Sequence, residues 1–375
     1  MPFGTATYYS KPFTLCQGLR LLFLRCMSKK ARGAAVARRG VSWYDTKGRA
    51  DAAERPLCRG GWNVENLIFS LNATLPVFLV MVAGGVLGRL GFLPPAFCKA
   101  ADKLTFKITL PVMLFLDMAG VDMRRDFEPR FVLFCAGATL AGILAVWGLA
   151  KLLMRDKAVV GEFVQAAYRS SAAVLGVAFI QNMYGEADMA PLMILGSVPL
   201  FNIFAVLILM LESPQHRAPG PAQLLRGVVT NPILLGIAAG TVFSLLPVEL
   251  PAIAEKTLTS LSSLTTPLAL LSIGAGFEGA KAIQKAGPTV AAALIKTVGL
   301  SLVFIPCAVA LGFRQQELVA LLIMLGSPTT PSAYVMARNM GHEGVLTASA
   351  VALTTLLSAL TLTGWIFVLR SGGWL

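Results

Sequence analysis

Histidine is almost missing from this sequence: His216 and His342 are the only two in 375 residues. A centre built on imidazole, either as metal ligand or as acid/base pair, is therefore not expected. Cysteine is equally unhelpful. Cys16, Cys26 and Cys58 fall in the first 63 residues and Cys98, Cys135 and Cys307 are scattered through apolar runs, with no paired spacing that reads as a metal site or a disulfide frame. Also lacking are a phosphate-cradling glycine loop, a nucleophile with a base at workable spacing, and a basic surface interleaved with aromatics. Neither an enzyme nor a nucleic-acid binder is indicated, and no cofactor or metal is called for.

Charge is the scarcest commodity. Only 14% of residues are charged whereas 56% are hydrophobic, and the mean hydropathy is +0.71. A soluble protein has no use for so many uncharged runs of near twenty residues. The expected class is an all-α polytopic membrane protein embedded in a lipid bilayer. Apolar runs bounded by charge, Pro and Gly predict ten transmembrane helices, at 65–90, 95–119, 130–154, 160–184, 188–211, 227–246, 252–277, 287–312, 317–340 and 344–370. The domains read as a basic leader at 1–63, a first five-helix repeat at 64–213, a linker at 214–226 and a second five-helix repeat at 227–371.

The formal charge of +13 is unevenly placed. Residues 1–63 hold twelve Lys or Arg against three acids, which is +9, and leave +4 for the rest. That leader has no spanning run and no signal-peptide pattern. It is expected to be a disordered tail, or a translation start assigned too early with Val64 as the natural beginning; a basic arm for anionic lipid is the alternative. In the body, Arg89, Lys99, Lys103, Lys151, Arg155, Lys157, Arg217, Arg226, Lys281, Lys285 and Arg338 follow the odd-numbered spans. The opposite side carries chiefly Arg124, Arg125, Arg130 and Arg314. By the positive-inside rule the first set is cytoplasmic and both termini lie outside a bacterial inner membrane.

The two halves are self-similar at an offset of 156 residues: Pro76 with Pro232, Gly84 with Gly240, Pro95 with Pro251, Thr109 with Thr265, Pro111 with Pro267, and Gly120 with Gly276. Because each half has an odd number of spans, the second must enter from the opposite side. Inverted repeats of this kind underlie many secondary transporters. Gly84 with Gly88, and Gly236 with Gly240, form small-xxx-small pairs that predict close helix packing.

The stretch "LGSPTTPSAYVMARNMG" at 325–341 interrupts an apolar run with two prolines and five hydroxyls. Pro328 and Pro331 each remove an N–H and crowd the preceding turn, which predicts a broken ninth span. A break presents carbonyls from one half-helix and N–H groups from the other, so it can hold an ion or a charged group at mid-membrane. Ser327, Thr329, Thr330 and Ser332 would add orientable donors; a simple kink whose hydroxyls bond back to the helix is the alternative.

The equivalent stretch of span four contains Arg169, Ser170 and Ser171. An arginine inside a span is costly and faces a partner or a wet cavity, and its fork suits a carboxylate; snorkelling to the interface is the other reading. Lys296 in span eight and Asp117 in span two are further intramembrane charges, either substrate or coupling groups. Asp117 lies near its helix end and could also snorkel. Asn72 and Asn231 are secondary polar candidates, with helix gluing as the plain alternative for these and for Asn182, Asn202 and Asn339. Among acids, spans four and nine offer only Glu162 and Glu317, near their ends.

Taken in order, "LPVFLVMVAGGVLGRLGFL", "KITLPVMLFLDMAGVD", "FVQAAYRSS", "NPILLGIAAG", "TTPLALLSIGAGF" and "SPTTPSAYVMARNMG" resemble the auxin efflux carrier family, in particular its bacterial members, over about 65–370. The resemblance implies ten helices in two inverted five-helix repeats, with interrupted, crossing helices 4 and 9. It further implies a scaffold of helices 1, 2, 6 and 7 that often forms a homodimer, and a small organic anion as substrate. Carried over by position, Arg169, Ser170, Ser171, Pro328, Thr329, Thr330, Pro331 and Ser332 would line the crossing, with Lys296 matching a basic residue early in span eight. One departure matters: Ser171 and Ala178 stand where the family commonly has Asn and Pro, so a break in span four would rest on Gly176. The competing expectation is a Na⁺- or H⁺-coupled carrier of the related bile-acid-symporter-like fold.

Overall fold

The computed structural model describes residues 64–121, 128–214, 220–246 and 250–375. The basic leader, Arg124, Arg125 and Arg217 lie outside the described residues, and the expectations about them with it. Among the described residues every regular element is helical.

Seventeen α-helices follow one another among the described residues. The first half holds α1 (Val64–Arg89), α2 (Pro95–Leu104), α3 (Leu110–Ala119), α4 (Pro129–Leu153), α5 (Val160–Tyr168), α6 (Ala172–Tyr184) and α7 (Met189–Leu211). The second holds α8 (Pro221–Val229), α9 (Pro232–Leu245), α10 (Ala252–Ser262), α11 (Thr265–Ala275), α12 (Gly279–Gln284), α13 (Ala286–Leu294), α14 (Leu300–Ala310), α15 (Gln315–Gly326), α16 (Ser332–Asn339) and α17 (Val345–Ser371). Wide π turns join α2 to α3 at Thr105–Thr109 and α13 to α14 at Ile295–Gly299. Pro at the first or second position starts α2, α4, α8 and α9, where its missing N–H costs nothing.

Six helical stretches among the described residues are long and apolar enough to cross a bilayer, and a seventh arises if the pair α8 and α9, bent by 57°, counts as one. The three other expected spans fall short for physical reasons. The run 95–119 is continuously helical but carries Lys99, Asp102, Lys103, Lys107 and Asp117. The runs at 160–184 and 317–340 are each cut in two, at 169–171 and 327–331, and each half is too short to span about 30 Å of hydrocarbon.

These two broken runs lie at the centre of the protein. Every residue of α5 is buried, as is α15 from Leu318 to Gly326. That is where irregular backbone belongs in a membrane, because lipid offers no partner for freed N–H and C=O groups. By contrast α1 keeps Ile68, Leu75, Leu79 and Val86 exposed, an apolar face suited to lipid.

Adding 156 to the residue numbers of α1, α2 to α3, α4, α5, α6 and α7 reproduces the bounds of α8 to α9, α10 to α11, α13 to α14, α15, α16 and α17 to within four residues. The most extensive packing joins halves: α1 against α11, and α9 against α3. The paired glycines make this approach feasible. A Cβ on Gly84 would lie 2.5 Å from the carbonyl oxygen of Leu271, and one on Gly240 would lie 2.4 Å from that of Phe115. The small-xxx-small stripes thus serve backbone-to-backbone packing, as expected.

Candidate functional site

The site is built where the two breaks meet. After Tyr168 the chain turns extended at Arg169 (φ −70°, ψ 134°), and after Gly326 it does so at Ser327 (φ −71°, ψ 162°). The Ser171 N–H donates to the Pro328 carbonyl at 3.0 Å, which ties the two breaks together through the backbone. The Ser170 and Ser327 hydroxyls hydrogen-bond each other, and Thr329 Oγ1 donates 2.7 Å to the carbonyl of Ala166. Thr354 of α17 accepts from the Thr329 N–H at 3.0 Å, so a third element completes the junction.

Pro328 follows the end of α15 as its chemistry requires, and Pro331 stands at the N-cap of α16. In the other run no proline acts. The break lies at 169–171, ahead of Gly176, which sits inside α6; a Cβ there would meet the Met193 methyl at 2.7 Å. Gly176 is a packing glycine, and the interruption is held by the partner run's carbonyl instead.

Arg169 is buried with 3% exposure. Nη2 donates to Asn202 Oδ1 at 2.6 Å, Nη1 donates to Gln165 Oε1 at 3.0 Å and also contacts the Met336 sulfur. Asn202 is fixed in turn by donating to the Val198 carbonyl, and Gln165 by donating to that of Ala333. The guanidinium is thus held by neutral groups, and no carboxylate lies within 4.0 Å of it among the described residues. Snorkelling is not what this arginine does.

Two adjoining cavities open at the junction. One, of about 640 Å³ including its open mouth, lies between the breaks and α1, α3 and α11, and is lined by Ser171, Pro328, Thr329, Thr330, Pro331 and Ser332 together with Thr74 and Thr265. The other, of about 380 Å³ with its open mouth counted as well, is lined by Arg169, Ser170, Ser171, Asn202, Thr330, Ser332 and Asp117. They share Met113, Ser171, Thr330 and Ser332. One carboxylate oxygen of Asp117 is buried without a hydrogen-bond partner. A guanidinium, a cluster of hydroxyls and half-helix ends around a cavity can hold a small anion by charge-assisted hydrogen bonds.

The remaining candidates sit elsewhere. Ser327 is wholly buried beneath the junction. Lys296 lies behind it, its Nζ donating to the carbonyls of Leu325 at 2.6 Å and Met324 at 3.3 Å. Asn231 caps α9 by accepting from the Ile233 N–H, and Asn72 is exposed on α1. Gln165 and Thr354 carried no recognisable signal: Gln165 is uncharged in an apolar helix, and Thr354 is one hydroxyl among several along α17. Glu162 did carry one: a carboxylate within a span. It accepts from the N–H groups of Gly344 and Thr347 and from the Thr347 hydroxyl, at 2.9 to 3.0 Å, and so caps α17 from a distant helix.

A chain whose described residues are all helical in their regular elements, with several spanning helices, two buried breaks and a cavity lined by hydroxyls and a guanidinium at their junction, is a multi-pass membrane protein of the transport class. The family profile described as "Membrane transport protein" matches residues 69–219 and 221–366, and the chain belongs to this family, that of the auxin efflux carriers. It is similar to a Rhizobium meliloti (strain 1021) protein named "Putative malonate transporter", 22% identical over 310 residues that cover 80% of this chain and 95% of the relative. It is also similar to the "Uncharacterized transporter YfdV" of Escherichia coli (strain K12), 20% identical over 311 residues, or 81% and 99% of the two chains.

Proposed function

We propose that this protein is a secondary transporter that moves a small carboxylate or dicarboxylate across a bacterial cytoplasmic membrane by alternating access. In this reading the ten spans form two inverted five-helix repeats, the junction of the broken runs is the substrate site, and the basic loops face the cytoplasm. Helices α1, α3, α9 and α11, closely packed through their glycines, form the scaffold on which a second copy docks.

The observation that carries the reading is Arg169: a guanidinium at a membrane-embedded cavity, pre-oriented by Gln165 and Asn202 and lacking a carboxylate. Placing it there is costly unless an anion repays the cost. Ser171, Thr330 and Ser332 supply further donors around the same space, and the resemblance of the chain to a relative named for malonate points to the same substrate class.

Uptake of a panel of labelled mono- and dicarboxylates into proteoliposomes tests this. Transport of at least one, lost in Arg169→Ala, is expected; no transport of any, or an Arg169→Ala protein that transports like the parent, would overturn it.

A further inference from the structure

Arg169 and Asp117 line one cavity and yet do not pair. The guanidinium is held by Gln165 and Asn202 instead, and no carboxylate lies within 4.0 Å of it among the described residues. One oxygen of Asp117 is buried with no hydrogen-bond partner, which in a native structure calls for an explanation. Among the described residues these two are the only ionisable side chains on the cavity; the rest of its lining is hydroxyl, amide and apolar. The elements packed on α3 bring no further charge to it. Helices α7 and α9 carry none, while α10 has Glu255 and Lys256 and the π turn before α3 has Lys107, all three exposed.

Arg169 keeps its proton at any working pH, so the cavity holds one fixed positive charge opposite one carboxylate. A ligand carboxylate entering between them would make two negative charges against one. Away from bulk water, two carboxylates that share a site do not both ionise. A proton on Asp117 restores the balance and gives its carboxyl an O–H donor, which the ligand carboxylate accepts. The ligand then bridges the two residues, with its other oxygen toward the Arg169 fork.

We infer that a carboxylate binds in this cavity together with one proton, drawn from bulk water and held by Asp117. This rests on the carboxylate-site reading above. Asp117 is on this account a ligand-contacting residue that makes affinity depend on pH: the bound complex contains a proton that the free, ionised site lacks, so binding weakens as protons become scarce.

Calorimetric titration of the purified full chain with malonate tests this, in two buffers of different ionisation enthalpy, from about pH 7 to about pH 9, where the carboxyls of malonate itself stay ionised. The proteins are the parent, Asp117→Asn, Asp117→Ser and, as control, Asp102→Asn. Asp102 also has a buried oxygen without a partner, but it lines a different cavity, beside Arg338. At the upper end of the range the parent and Asp102→Asn should take up about one proton per malonate and lose affinity by close to tenfold per pH unit. Asp117→Asn and Asp117→Ser should take up none, hold a constant affinity, and bind more tightly than the parent at the highest pH. A parent that binds malonate without taking up a proton overturns the inference, and so does either Asp117 variant if it takes up the proton as the parent does. Should neither variant fold, the parent decides with Asp102→Asn: uptake in both upholds the inference and its absence refutes it. The two ideas are told apart by how they fail. Malonate bound without a proton sinks the role of Asp117 and spares the carboxylate site, whereas no binding of malonate, succinate or acetate at any pH sinks the carboxylate site itself and this inference with it.

Discussion

At the scale of single residues, two charges around the smaller cavity oppose each other. Arg169 attracts a substrate carboxylate, and Asp117 lines the same cavity, where its ionised form repels one. Removing the repulsion in Asp117→Asn should tighten binding of a carboxylate roughly threefold to tenfold, or about 0.7–1.4 kcal/mol, in a calorimetric titration; weaker binding would mean that Asp117 helps to hold the ligand. Arg169 was legible in the sequence because charge in an apolar run is conspicuous. The partners that orient it were not, since a Gln one turn earlier and an Asn in α7 become neighbours only through the fold. Lys296 was legible as a buried charge but not in its role, because the carbonyls it meets belong to residues 28 and 29 positions away.

At the scale of elements, the two breaks differ in cause. The one after α15 is written locally in Pro328 and Pro331. The one after α5 has no proline or glycine at 169–171 and persists because the Ser171 N–H finds the Pro328 carbonyl; sequence could point only to Gly176, which packs inside α6. Helix α17 offers a similar case. Its first turn has no local cap, and the Glu162 carboxylate of α5 serves instead. Glu162→Ala leaves those buried donors unpaired and should cost about 2–4 kcal/mol, read as a lowered melting temperature, with Glu162→Gln costing less. An unchanged melting temperature would show that water replaces the cap. The loop before α17 carries a lesser interaction. Glu343 accepts a hydrogen bond from the Lys285 ammonium at 2.6 Å, which holds its carboxyl below the usual range. The stabilisation is present above the ordinary glutamate range and fades as pH falls through the depressed value. Both groups are near water, so Glu343→Gln should cost under about 1 kcal/mol at neutral pH and nothing once the carboxylate is protonated.

At the scale of the whole molecule, the halves are stitched by glycine seams that the sequence repeat announced. A Cβ on Gly274 would lie 1.9 Å from the Met81 carbonyl oxygen, whereas one on Gly137 meets nothing within 4 Å. Gly274→Leu should therefore separate α1 from α11, cost about 3 kcal/mol or more, and yield aggregated protein on size exclusion, with Gly137→Ala indistinguishable from the parent. Hydropathy and the 156-residue offset told the class and the internal repeat; how the broken runs meet depended on hydrogen bonds between distant segments, which no single-chain pattern encodes.

The central claim is that the junction of the two breaks is one anion site organised by Arg169. Its most direct test is the binding isotherm of the transported carboxylate on the parent, Arg169→Lys and Arg169→Ala, with melting temperatures recorded for each. Arg169→Ala should lose roughly a hundredfold in affinity, about 2.7 kcal/mol, while Arg169→Lys retains part of it, because a point charge replaces a bidentate fork. Equal affinity in all three folded proteins would contradict the account.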